Sequence, residues 1–427
     1  MNVLLIGSGG REHALAQAIE RSDTLTSLAV APGNAGTDPH NIDLAVDDHG
    51  AVIAYCQANA VDLVVVGPEA PLVAGIADAL ADAGIACFGP SAAAAQLEGS
   101  KAFTRRFADS CGIPSPVSAP FTSSAEAIEW FDAQPFDVVV KADGLAAGKG
   151  VVIPESRDET VAAISAMLDD GLLGDSGATI VLEERMVGEE LSLFGVSDGT
   201  TVVTLATAQD HKRVGDGDTG LNTGGMGAFS PVPGIDEARQ AELAAMFLEP
   251  AIAGMAEAGT PYVGVLFAGL MLTPSGPKLV EYNCRFGDPE AEVILPMLQS
   301  DALELMTRAA NGSLDQAPHE MRDGTAATVV VCADGYPATP AKGLIVPELG
   351  CTTDVCAFYA GTARSDDGNL VSTGGRVLAV TGIGADLDAA LANSYRLVDQ
   401  VTGNGLFARG DIGWRHSPVR STKITSD

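Results

Sequence analysis

The first hundred residues alternate between short apolar runs and alanine-rich helical stretches, and this alternation limits the fold more than any other feature of the chain. "VLLIG", "SLAVAPGN", "VDLVVVGPE" and "IACFGPS" read as strands. Between the first two lies "REHALAQAIE", with Ala14, Leu15, Ala18 and Ile19 on one helical face. Strands that are apolar throughout and separated by helices predict a parallel sheet covered on both faces. Such sheets bind ligands at the carboxyl ends of their strands. The ends here are Gly9-Gly10-Arg11, Gly33-Asn34 and Gly67-Pro68-Glu69. "GSGGRE" is not a dinucleotide fingerprint, because Glu12 stands where a third glycine is needed and the second strand ends in "APGN" rather than an acid. A glycine turn with Arg11 at a helix N-terminus instead suits an anionic ligand.

From "GSKAFTRRFADSCGIPSP" onward the pattern changes. "DVVVKADG" and "KGVVIPE" read as strands flanking a loop, "TVAAISAML" as a helix, and "TIVLEERMVGEELSLFGVSDGTTVV" as further strands. Longer strands follow, with "AELAAMFLEPAIAGMAEAG" read as one helix. "AATVVVCADGYP", "GRVLAVTGIG" and "DLDAALANSYRLVDQV" make a last α/β segment. The expected organisation is a multidomain α/β and α+β chain. It has an N-terminal parallel-sheet domain at 1–100, a central domain at 101–325 with a small lid at about 118–192, and a C-terminal α/β domain at 326–427.

Net charge is −32, which disfavours nucleic acid and anionic membrane as partners. No apolar run reaches the ~18–20 residues of a membrane span, and "MNVLLIGSGG" lacks the basic start of a signal peptide. The seven cysteines are scattered, which predicts reduced thiols and a cytoplasmic location, with Cys351 and Cys356 as core or surface thiols. Only seven lysines are present, and Lys101, Lys141, Lys149 and Lys212 fall inside Gly-rich or Asp/His-rich motifs. In a chain so poor in lysine, these four are candidates for site groups.

"KADGLAAGKGVV" carries Lys141, the loop Gly144-Leu145-Ala146-Ala147-Gly148-Lys149-Gly150, and a following strand. It is not a P-loop: the spacing is one short, no hydroxyl follows the lysine, and a strand rather than a helix comes next. It reads as a strand–loop–strand flap whose bare N–H groups close over phosphates. In "PKLVEYNCRFGDPE", Glu281 and Asn283 are two apart on a strand and point to one side. A carboxylate and an amide carbonyl together suit Mg²⁺. Arg285 continues that side and offers a two-pronged grip on an anion. Glu183 and Glu190 flank a glycine turn that could present backbone groups to an adenine and a carboxylate to ribose.

Lys101, Lys141, the flap, the Glu183–Glu190 linker and the Glu281/Asn283 pair come in an order that resembles the ATP-grasp fold. With "APGNAGT", "VGPEAPLVAGI", "FGPSAAAAQLEGSKAF", "QDHKRVGDGDTGLNTGGMGAFSP", "EYNCRFGDPE", "GGRVLAVTG" and "DIGWR", the chain resembles the phosphoribosylamine–glycine ligase family from residue 2 to about 415. It departs at Leu221, where the family has Pro, and at Ala291-Glu292, where Thr-Gln is frequent. The resemblance implies ATP-dependent joining of glycine to 5-phosphoribosylamine through a glycyl phosphate, in purine synthesis. Another ATP-grasp carboxylate–amine ligase is the alternative.

By resemblance, Lys101, Lys141, residues 144–150, Glu183, Glu184, Met186 and Glu190 bind ATP. Glu281 and Asn283 bind Mg²⁺ or Mn²⁺. Arg285, Lys141 and Asp210 act in catalysis, and Asp210 places the glycine ammonium. Gly9, Gly10, Arg11, Asn34, Glu69, Lys212 and Arg285 complete the substrate contacts. His211 stays open between a structural and a substrate role. The resemblance also implies a monomer with transient contact to the upstream amidotransferase, and a length with no room for the further purine-pathway domains of animal versions.

Overall fold

The computed structural model describes residues 1–146, 150–314 and 319–424. The first unit is a parallel sheet of β1 (Asn2–Gly7), β2 (Ser27–Pro32), β3 (Leu63–Val66) and β4 (Ala86–Phe88), in the order β2-β1-β3-β4. Leu4, Leu5 and Ile6 are fully buried, as strands with helices on both faces require. The helix Gly10–Glu20 buries Ala14, Leu15, Ala18 and Ile19, and with them Arg11, Glu12 and His13.

A second, antiparallel sheet contains β5 (Ser118–Phe121), β6 (Val138–Ala142), β7 (Val151–Val152) and β8 (Ile180–Glu184), in the order β5-β8-β6-β7. Helices Ser124–Asp132 and Arg157–Leu168 cover it. Val140, Ala142, Ile164, Met167, Ile180 and Leu182 form a small core separate from the main one. A unit with its own core can move as a body against the rest.

The largest sheet joins β9 (Glu189–Asp198), β10 (Val202–Asp210), β13 (Gly227–Ser230), β14 (Val263–Thr273), β15 (Gly276–Asn283), β16 (Thr325–Ala333), β17 (Val355–Tyr359) and β20 (Arg376–Gly384). Within the described residues its order is β15-β14-β9-β10-β13-β16-β20-β17, with β21 (Leu406–Phe407) added to β16. Two hairpins lie outside it, β11 (Arg213–Gly215) with β12 (Thr219–Asn222), and β18 (Thr362–Arg364) with β19 (Leu370–Ser372). The sheet runs across the 325/326 boundary expected from sequence, because β13 pairs with β16 from Gly227↔Val329 to Ser230↔Ala326. β10 meets β13 over only two pairs, Gln209↔Phe229 and Asp210↔Ala228.

Two expectations are corrected. The single helix over 241–259 is two, Glu237–Phe247 and Glu249–Glu257, because Pro250 has no N–H to close the turn onto the preceding helix. Cys351 and Cys356, expected as thiols, form a disulfide, brought together by the turn in which Thr352 N donates to Val355 O at 2.7 Å. The other five cysteines are free. Among the described residues no helix is long and apolar enough to cross a membrane.

Candidate active site

A cavity of about 200 Å³ opens where the end of β15, the segment Leu97–Arg105 and the base of the flap meet. Glu281, Asn283 and Arg285 line it from one side, Lys101 and Glu98 from another, and Glu69 from the parallel-sheet unit. Alternation along β15 explains Glu281 and Asn283, and Arg285 follows two residues beyond the strand's end. Tyr282, between the two oxygen donors, points the other way into the core, where its hydroxyl donates to Phe247 O.

Electrostatics centre on Glu281. Burial alone would raise its pKa, but Lys212, Lys141, Lys101 and Arg285 outweigh burial and hold it below the usual carboxylate range. Three of these cations also pair with other carboxylates, Lys141 with Glu183, Lys212 with Glu190, and Arg285 with Glu98 and Glu69. Lys101 has the freest head of the four: its only hydrogen bond among the described residues is to Gly144 O at 3.4 Å. Asn283 Oδ1 accepts from Arg285 Nη2 at 3.1 Å, while Asn283 Nδ2 is buried without a partner among the described residues. The Glu281 carboxylate and the Asn283 carbonyl fit a hard divalent cation, which needs only one or two protein oxygens and takes the rest from phosphate and water.

Lys141 is buried, with Nζ 2.7 Å from Glu183 Oε2. Glu183 points inward: Arg105 Nε and Nη2 each donate to it at 2.8 Å, and Arg105 Nη1 donates to Leu279 O on β15 at 3.0 Å. The Glu183 side chain thus holds Lys141 and does not face the cavity. Glu184 bonds Lys278 at 2.8 Å, and Met186 is half-buried on the linker before β9. Glu190 pairs with Lys212 at 2.5 Å. Flap residues Gly144, Leu145, Ala146 and Gly150 are in place, with Ala142 N donating to Gly150 O at 2.7 Å and Ser176 Oγ to Leu145 O at 2.8 Å. Ala147, Gly148 and Lys149 lie outside the described residues.

Asp210 closes β10. Burial, with Glu290 and Glu190 nearby, raises its pKa against the pull of Lys212. Glu290 is itself buried, raised by burial, and accepts from Ser192 Oγ at 3.2 Å. Lys212, which pairs with Glu190, lowers the pKa of both the Asp210 and Glu290 carboxyls but does not outweigh burial. His211 is 3% exposed, and its Nε2 accepts from Gly413 N at 3.0 Å. Burial pushes its pKa down to about 4. Its Nδ1 is buried without a hydrogen-bond partner among the described residues.

At the carboxyl end of the parallel sheet, Glu12 accepts from Gly9 N at 2.5 Å and Arg11 Nε at 2.6 Å. Arg11 Nη1 donates to Phe286 O at 3.0 Å, which joins this turn to the segment after β15. Gly10 packs on Glu292. The Asn34 amide nitrogen lies within 3.1 Å of Ser8 O, Gly9 O and Tyr359 O, so its side chain frames the turn and its donors are already engaged. Glu69 Oε2 is 3.2 Å from Arg285 Nε.

Sequence reasoning passed over Glu98, Arg105, Asp143 and Glu290. Glu290 stood inside the quoted "RFGDPE" and could have been picked from its acidity there. Glu98 stood inside the quoted "FGPSAAAAQLEGSKAF", but its spacing alone does not set it apart from the other acidic residues, 56 in all.

Family models of the N, ATP-grasp (A) and C domains of phosphoribosylglycinamide synthetase match residues 1–98, 99–291 and 326–415. The phosphoribosylamine–glycine ligase of Agrobacterium fabrum is 50% identical over 418 residues, covering 97% of this chain and 98% of that protein. The trifunctional purine biosynthetic protein adenosine-3 of Gallus gallus is 46% identical over 421 residues, 97% of this chain and 42% of that one. The crystal structure of phosphoribosylamine–glycine ligase from Thermotoga maritima superposes with a TM-score of 0.84 at 33% identity, covering 96% and 99% of the two chains. A biotin carboxylase domain from Hydrogenobacter thermophilus, solved with MgADP and bicarbonate, reaches 0.74 at 14% identity over 95% and 91%, a likeness of fold alone.

Proposed function

Because the chain belongs to the phosphoribosylglycinamide synthetase family, we propose that it joins glycine to 5-phosphoribosylamine, cleaving ATP to ADP and phosphate, in purine synthesis. The observation that carries the reading is the cavity at the base of the flap, where Glu281, Asn283 and Arg285 come together with Lys101. Glycine's carboxylate is a poor electrophile, and phosphorylating it creates an acyl phosphate that an amine can attack. Phosphoryl transfer needs neutralised oxygens and alignment more than a protein base.

Lys101, Lys141 and the flap residues 144–150 hold the ATP phosphates, with Glu183 fixing Lys141 from behind. The linker bearing Glu184 and Met186 presents its backbone to the adenine, and Glu190 meets the ribose. Magnesium or manganese would be held by Glu281 and Asn283. Bound there, it would neutralise charge on the phosphate oxygens. Arg285 grips the transferring phosphoryl group. Asp210, with Glu290, takes the glycine ammonium, and Lys212 faces its carboxylate. An arriving ammonium favours ionised Asp210 and reverses the effect of burial. Gly9, Gly10, Arg11 and Glu69 surround the phosphoribosylamine, with Asn34 shaping the turn. The working enzyme is a cytoplasmic monomer, touching the upstream amidotransferase only transiently. Its domains divide near 100 and 325, with the lid at about 118–192.

The test is ADP release measured with each substrate withheld in turn. Steady release only when glycine and phosphoribosylamine are both present supports the reading. Release with bicarbonate or another acid in place of glycine overturns it.

A further inference from the structure

We propose that Glu98 is the positioning residue that aims Arg285 at the transferring phosphoryl group and keeps it in register with Lys101. The inference rests on the role given to Arg285 above.

Glu98 lies on the short helix Gln96–Gly99, and its side chain is 9% exposed at the cavity wall. Its two oxygens take donors from consecutive residues. Oε1 accepts from Arg285 Nη2 at 2.8 Å, and Oε2 accepts from Cys284 N at 2.7 Å. One carboxylate thereby fixes both the backbone leaving β15 and the guanidinium that follows it. Glu69 also meets Arg285, at Nε, but it comes from the parallel-sheet unit and accepts no bond from the 284 backbone among the described residues.

On the other side, Glu98 is three residues before Lys101. Ser100 Oγ accepts from Phe103 N at 3.0 Å and donates to Asp143, whose Oδ1 also accepts from Ala102 N at 2.7 Å. The Lys101 end is therefore pinned to the base of the flap. Through Glu98, the two cations on opposite walls of the cavity share one rigid connection.

Glutamine at 98 cannot reproduce this. It has one acceptor oxygen, so its amide NH₂ would face either Cys284 N–H or Arg285 Nη2, donor against donor. A misplacement of about 1 Å can cost on the order of 100-fold in a positioned reaction, while substrate binding is shared among many groups.

The experiment is a double-mutant cycle on the full chain, measuring kcat and KM for Mg·ATP and glycine in Glu98→Gln, Arg285→Lys and the double variant. Circular dichroism and thermal melting confirm folding. Glu98→Gln is expected to lower kcat about 10- to 100-fold with KM within about threefold. In the Arg285→Lys background, where no guanidinium is left to aim, the same change is expected to lower kcat less than about threefold further. A wild-type kcat in Glu98→Gln, an effect confined to KM, or the same factor in both backgrounds overturns the inference. Wild-type kcat in Arg285→Lys overturns the role of Arg285 instead. Should Glu98→Gln fail to fold, Glu98→Asp enters the same cycle, since it keeps the charge but is too short to reach both donors.

Discussion

Lys141 and Glu183 meet across neighbouring antiparallel strands, Nζ to Oε2 at 2.7 Å, and Arg105 closes the carboxylate from its other side. All three side chains are at most 8% exposed. Removing the charge by Glu183→Gln leaves two buried cations short of a partner and is expected to cost about 3–5 kcal/mol at pH 7. Burial alone would raise the Glu183 pKa, but Lys141 and Arg105 outweigh it and hold it at about 2, against 4.5 for a free glutamate. A depressed folded pKa stabilises fully above 4.5 and fades as pH falls toward 2. The gap between variant and wild type should therefore be wide at pH 7 and narrower at pH 3 in denaturant titrations. An equal gap at both pH values contradicts the assignment.

Glu292 titrates with the opposite sign. It is 1% exposed, both carboxylate oxygens lack a hydrogen-bond partner among the described residues, and Gly10 packs directly on it. Burial and then Asp288 raise its pKa, and Arg376 and Arg11 do not compensate. A raised folded pKa favours the protonated folded state, so wild-type stability falls as pH climbs above the free value of 4.5 toward the folded one. Glu292→Gln does not titrate. Its melting temperature relative to wild type should rise steadily with pH over that window, and a pH-independent offset would refute a neutral Glu292.

Glu281→Ala and Asn283→Ala each remove one oxygen donor facing the cavity. Loss of several kcal/mol of charge stabilisation predicts a fall in kcat of at least about 1000-fold, with the circular dichroism spectrum unchanged. Mg²⁺ titration of the residual rate checks the cause, and near-normal turnover of Glu281→Ala at saturating Mg²⁺ would falsify the metal reading.

If glycine is phosphorylated before the amine attacks, glycine labelled with oxygen-18 in its carboxylate transfers one labelled oxygen to the released phosphate. The carboxylate oxygen that attacks phosphorus stays bonded to it when the acyl–oxygen bond breaks. Mass spectrometry of the phosphate reads this directly. Unlabelled phosphate rules out the acyl phosphate, and with it the role proposed for Arg285.

Much of what was legible in the sequence is local geometry. Apolar runs broken by helices predicted the parallel sheet of β1–β4. The period of two along β15 placed Glu281 and Asn283 on one side, because a pleated strand turns successive side chains to opposite faces whatever lies nearby. Glycine spacing around Lys141 predicted a loop between two strands, which β6 and β7 flank. These features need only the covalent chain and its sterics.

Partnership was not legible. Glu183, placed by sequence at a nucleotide, turns inward to Lys141 and Arg105, and Glu98, given no role from sequence, grips a guanidinium 187 residues away. The last α/β segment, separate by its sequence pattern, adds strands to the central sheet through β13 and β16. A carboxylate reads the same in sequence whether it faces water or a buried arginine. Its partner is chosen when distant segments pack, since only burial makes an unpaired charge too costly to leave alone. The sequence by itself determined the strand and helix types and the face each side chain takes; the tertiary structure decided which charges meet there.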